Sequence, residues 1–150
     1  MKILYRDLKK MNVFLKDDFQ VKIGDLDVAK ILLKNSFAKT LIETPYYLLP
    51  EIYEEKSYND KSDVWALGCI LYELYTYKHP FDTKSQGELI LKIMRNIQEN
   101  INQYFSNELR NLIFLLLEKD SQKHPSCIEI LKYDFVIDKV KKLDYMSHFP

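Results

Sequence analysis

Lys61-Ser62-Asp63-Val64-Trp65-Ala66-Leu67-Gly68-Cys69-Ile70-Leu71-Tyr72-Glu73-Leu74 is the stretch on which the reading of this chain turns. Across residues 62–77, Val64, Trp65, Leu67, Ile70, Leu71, Tyr72, Leu74 and Tyr75 cover nearly every face of a helix. A helix with no polar stripe has no side to give to water, so it belongs at the centre of a domain. The helical pattern begins at about Asp60 and ends before Pro80.

The flanking segments supply the layers around that helix. Ser85 and Glu88 have capping-box spacing ahead of Leu89, Ile90, Ile93 and Ile97, which predicts an amphipathic helix. A further helix is expected from about Asn107 to Lys119, with Leu109, Leu112, Ile113, Leu116 and Leu117 on its apolar side. Ser126 and Glu129 repeat the capping-box spacing after Pro125 and open a helix through Ile130, Leu131 and Phe135. Upstream, residues 12–15 and 20–23 are β-type runs on either side of Lys16-Asp17-Asp18, a hairpin signature. Residues 28–45 have no firm period and are expected to form an extended loop. One hairpin with several helices around a buried one is a mainly α (α+β) fold.

Composition narrows the function classes. The 150 residues carry 22 basic and 22 acidic side chains, with 47% hydrophobic and 29% charged residues. That describes a globular domain without a global pull toward nucleic acid or membrane. The longest apolar run, Leu112 to Leu117, is far too short to span a bilayer. Cys69 and Cys127 both sit in apolar helical patterns, so buried reduced thiols are expected. A cytoplasmic or otherwise intracellular protein follows, with no signal peptide, nucleic-acid partner or membrane partner. The oligomeric state is left open.

The first fifty-one residues carry the chemistry. Tyr5-Arg6-Asp7-Leu8 and Asn12 precede Asp25-Leu26-Asp27, and Leu49-Pro50-Glu51 follows. This is the order of a protein kinase catalytic loop, metal-binding loop and activation-segment end. Phosphoryl transfer needs positioned charge more than covalent chemistry. Asp7 is the candidate for accepting the proton of the attacking hydroxyl, and Lys9 for neutralising the γ-phosphate. Asn12 and Asp25 are candidate Mg²⁺ ligands, and the hairpin between them returns the chain so that they meet.

Thr44-Pro45-Tyr46-Tyr47-Leu48-Leu49-Pro50-Glu51, the helix quoted first, Lys78-His79-Pro80-Phe81 and His124-Pro125-Ser126 resemble the C-terminal lobe of NIMA-related serine/threonine protein kinases. The resemblance covers nearly the whole chain. It implies ATP and Mg²⁺ as cofactors and a protein substrate phosphorylated on Ser or Thr, the Lys9 position separating it from tyrosine kinases. By the same resemblance Phe14 floors the adenine pocket, and Arg6 binds a phosphate on the activation segment, with Thr40 the best-placed acceptor. Thr44 sets the substrate-facing loop against Asp7 and Lys9, and Asp63 holds the catalytic-loop backbone. The expected organisation is one partial kinase domain over 1–150: catalytic and metal-binding loops at 1–27, activation segment at 28–51, helical subdomain at 52–150.

The sequence also departs from the pattern. Tyr5 stands for the usual His, Lys10 for a common Pro, Asp27 and Glu43 for glycines, and His124 for an Arg that pairs with the glutamate matching Glu51. Gly24, Gly68 and Gly87 form no phosphate loop, and no counterpart of the N-terminal lobe precedes Tyr5. The expectation is therefore a truncated C-lobe that neither binds Mg-ATP tightly nor transfers phosphate alone. The alternative is a non-catalytic, pseudokinase-like interaction fragment.

Overall fold

The computed structural model describes residues 4, 5, 7–16, 20–24, 45–47, 49, 50, 59–96, 98, 101 and 106–147. Among them are two strands, β1 (Val13–Leu15) and β2 (Val21–Ile23), and five α-helices. These are α1 (Asp60–Thr76), α2 (Gln86–Arg95), α3 (Asn107–Leu116), α4 (Cys127–Ile130) and α5 (Asp134–Ser147). The architecture is helix-rich with one antiparallel hairpin, the class expected from the sequence.

Helix α1 is the centre. Asn59 starts it: the Lys61 N–H donates to Asn59 Oδ1 at 2.8 Å, and the Asn59 N–H donates to Ser62 Oγ at 3.1 Å. Trp65, Cys69 and Tyr72 join Leu49, Phe81, Leu89, Ile93 and Ile113 in one buried cluster. Val64 joins Leu112, Leu116 and Ile130 in a second. Burial on two sides explains the missing polar stripe. Trp65 is fully buried and stacks on Phe81 at 5.5 Å between ring centres. Burial pushes the Cys69 thiol pKa well up, which leaves it an inert core residue.

Helix α3 crosses α1 at Gly68, where a Cβ would lie 2.8 Å from Leu116 Cβ and 3.2 Å from the Leu116 carbonyl carbon. The absent side chain is what allows two backbones to meet. At its C-terminal end α1 stops on Tyr77, in the left-handed region at φ 57° and 93% exposed. A β-carbon is strained there, and glycine is the usual solution.

Four expectations are corrected. The box at Ser85 is half formed: the Glu88 N–H donates to Ser85 Oγ at 3.2 Å, but the Glu88 carboxylate accepts from the Thr83 hydroxyl rather than from Ser85. The single helix foreseen after Ser126 is two. Its capping box forms, with Ser126 N–H donating to Glu129 Oε2 at 2.7 Å, yet α4 ends at Ile130. The Tyr133 carbonyl then accepts from the Val136 and Ile137 N–H groups and starts α5. The break lets Tyr133 and Phe135 stack at 6.0 Å against the second cluster, which a continuous helix would forbid. Cys127 is exposed rather than buried, being on the first turn of the short α4. Helix α3 also ends at Leu116, short of Lys119.

In β1 and β2, Val13 pairs with Ile23, Phe14 with Lys22 and Leu15 with Val21. The expected hairpin is present, with its tip (17–19) outside the described residues. The expected loop at 28–45 lies outside them too, apart from a short 3₁₀ turn at Pro45–Tyr47.

Two substitutions, one within α1 and one at its C-cap, should act in opposite directions. Gly68→Ala overpacks the crossing with α3 and should cost about 1–3 kcal/mol. Tyr77→Gly relieves the left-handed cap and should stabilise by about 1 kcal/mol. Urea denaturation of each variant checks both signs.

Candidate active site

The stretch from Tyr5 to Asn12 is fastened at both ends. The Tyr5 N–H donates to Asp63 Oδ2 at 2.9 Å, from the first turn of α1. The Tyr5 hydroxyl donates to the Gly24 carbonyl, and the Gly24 N–H donates to the Asn12 carbonyl at 2.9 Å. Tyr5 therefore joins this stretch to the base of the hairpin, a role that its substitution for the usual His did not suggest. A 3₁₀ turn at Lys10–Asn12 closes with the Asn12 N–H donating to the Lys9 carbonyl at 3.0 Å.

Three of the sequence-predicted residues converge here. Lys9 Nζ lies 2.8 Å from Asp7 Oδ2. Asn12 Nδ2 donates to the Asp7 carbonyl at 2.9 Å and to Asp7 Oδ2 at 3.1 Å. Asn12 is 6% exposed, so its amide is held rather than free to turn. With the nitrogen committed to Asp7, the Asn12 carbonyl oxygen is the atom left for a hard cation. Phe14 is half exposed, and its ring covers Gly24 so closely that a Cβ there would lie 2.6 Å from Phe14 Cε2. A flat apolar surface thus adjoins the loop leading to Asp25. These features fit a magnesium nucleotide.

Arg6, Asp25, Asp27, Thr40, Glu43, Thr44 and Glu51 lie outside the described residues. Among the described residues, no cluster of three or more His, Cys, Asp or Glu could hold a metal ion. His124 is 3% exposed and directs Nε2 to the Glu118 carbonyl at 2.7 Å. A carbonyl only accepts, so Nε2 carries the proton, and Nδ1 is buried without a partner.

The sequence reading missed a second cluster beside the first. Near the end of α1, Glu73 accepts from Lys10 Nζ on one oxygen and from the Tyr47 hydroxyl at 2.8 Å on the other. Burial raises the Glu73 pKa, but these two hydrogen bonds outweigh it and the net shift is downward. Burial and the bond to Glu73 raise the Tyr47 pKa. His79 packs against Tyr46 at 4.8 Å and Tyr47 at 5.2 Å, with both ring nitrogens buried and unpartnered. Burial pulls its pKa down to about 4, against the opposing fields of Glu73 and Asp82. A single glutamate in the otherwise apolar stretch from Val64 to Tyr75 was the signal available.

The protein kinase domain family matches residues 1–136. The chain is similar to the serine/threonine-protein kinase Nek1 of Mus musculus, 43% identical over 142 residues. It is also similar to the probable serine/threonine-protein kinase nek3 of Dictyostelium discoideum, 46% identical over 139 residues, and to Nek2 of Homo sapiens, 45% over 139. The matches cover 94%, 89% and 92% of this chain but only 12%, 12% and 31% of those proteins. No helix among the described residues is long and apolar enough to cross a membrane.

The buried His79 makes stability depend on acid. Its folded pKa, about 4, lies below the unfolded value of 6.5, so the unfolded chain binds the extra proton between them. That contribution is complete above pH 6.5 and is lost as pH falls toward 4. His79→Phe should flatten the fall in Tm across this window and leave stability at pH 7 equal or higher. Thermal melts from pH 7 to 4.5 check it.

Proposed function

This chain belongs to the protein kinase family, with NIMA-related relatives, and from that premise we propose that it carries the catalytic half of an ATP-dependent serine/threonine protein kinase. The observation that carries the reading is the convergence of the Lys9 ammonium and the Asn12 amide on the Asp7 carboxylate, at 2.8 and 3.1 Å. Asp7 accepts the proton of a substrate Ser or Thr hydroxyl. Lys9 neutralises charge developing on the transferred phosphate, and because it rests on Asp7 it needs little reorganisation to do so. Asn12 and Asp25 would hold magnesium, and Phe14 would offer an apolar surface to the adenine. Mg-ATP, when bound, supplies the phosphoryl group.

The residues in hand form one wall of the nucleotide site. The phosphate loop and the lysine that grips the phosphates must come from outside these 150 residues, in this protein or a partner. A half-open site leaves the phosphates in high dielectric, where each ionic contact is weak. The exposure of Phe14, Leu15, Val21 and Ile23, each 50% or more, supports a covering element over the hairpin. The same exposure favours the second reading, a non-catalytic fragment that binds a partner through this face. Phosphate on Thr40, pairing with Arg6, is part of the first reading and would order the activation segment.

The chain joined to a kinase N-lobe should phosphorylate a serine peptide, and Asp7→Asn or Asp25→Asn should lower kcat by on the order of 10²–10⁴-fold with unchanged folding. Near-wild-type turnover in either variant overturns the catalytic reading. The 150-residue chain alone should bind Mg-ATP only weakly by calorimetry.

A further inference from the structure

A cavity of about 510 Å³ opens beside Lys9, between the Lys10–Asn12 turn, the Pro45–Tyr47 turn and the C-terminal end of α1. Lys9 lines it, so it adjoins Asp7, and a peptide whose hydroxyl reaches Asp7 must lay a neighbouring residue over this opening. Two carboxylates line it: Asp82 is exposed, and Glu73 is the enclosed one, with a side chain only 14% exposed. A carboxylate so enclosed is suited to receiving a guanidinium or ammonium. Here it is already occupied. Lys10 takes Oε1, and the Tyr47 hydroxyl takes Oε2 at 2.8 Å. Lys10 is itself 58% exposed and reaches the carboxylate from the solvent side. An incoming cation therefore meets an ammonium before it meets the glutamate. The rest of the lining is the thioether of Met11, tyrosine rings and the neutral His79, with exposed Lys78 and Asp82 adding one charge of each sign.

We propose that Lys10 is a specificity-determining residue, an internal cation that fills the Glu73 subsite, so that the cavity takes an uncharged side chain flanking the phosphoacceptor and rejects arginine and lysine. The inference rests on the reading of Asp7 as the residue that receives the substrate hydroxyl. It uses a repulsive element, since discrimination requires a penalty on the wrong ligand as well as a fit to the right one. It also gives the replacement of a common proline by Lys10 a physical consequence. Proline at this position would leave one oxygen of Glu73 uncovered.

The test is binding, measured without phosphate transfer. Fluorescent serine peptides, identical except for Leu or Arg at each position near the serine, are titrated by anisotropy into the 150-residue chain, Lys10→Ala and Lys10→Ala/Glu73→Gln. At one position wild type should bind the Leu peptide on the order of tenfold more tightly than the Arg peptide. Lys10→Ala should raise Arg-peptide affinity about tenfold at that position only, and the double variant should lose the gain. Equal or better Arg binding by wild type overturns the proposal, as does an unchanged Arg affinity in Lys10→Ala or the absence of binding by any peptide. Thermal melts show whether each variant is folded, Lys10 being a surface residue whose removal leaves the core intact. Peptide discrimination without phosphotransfer in the N-lobe-joined protein would sink the catalytic reading and leave the subsite standing.

Discussion

The constraint on which the structure depends is the burial of one helix on both sides. Helix α1 can be surrounded only because Gly68 lets α3 approach to backbone contact. Two of its carboxylates, Asp63 and Glu73, lie about 15 Å apart along its axis and hold other parts of the chain. Asp63 accepts from the Tyr5 backbone, and Glu73 accepts from Lys10 and Tyr47. The loop bearing Asp7 and Lys9 is thus fixed to the central buried helix at two points. Hydrogen bonds to a charged acceptor contribute about 1.5–3 kcal/mol each, enough to hold a loop that has little apolar surface of its own to bury.

Electrostatics divides the site into two neighbouring pairs. Asp7 is balanced by Lys9, and Glu73 by Lys10. The first pair faces the hairpin, where Asn12 and Phe14 offer an oxygen and a flat ring. The second faces the Pro45–Tyr47 turn and contributes to the cavity wall. His79, forced neutral by burial, adds bulk without charge between Tyr46 and Tyr47. Adjacent residues, Lys9 and Lys10, therefore neutralise different carboxylates, one beside the hairpin and one beside the Pro45–Tyr47 turn.

The sequence by itself determined the buried helix, the hairpin, the cap at Ser126 and the placing of Asp7, Lys9 and Asn12 on one short loop. These are local or periodic signals: an all-round apolar pattern, two short β-type runs, capping residues three apart, and a motif whose members lie within six residues. Tertiary structure alone decided the rest. Tyr133 breaks the last helix so that its ring can stack on Phe135 over the second cluster, and no local propensity announces that stop. Cys127 reads as apolar in sequence but faces solvent because α4 is a single turn. Lys10 and Glu73 are 63 positions apart, as are Lys61 and His124, and nothing in a linear pattern couples groups at that range. Which oxygen of a carboxylate is free, and which cation has taken it, depends on how helices pack. That is decided by burial and shape rather than by the order of residues along the chain.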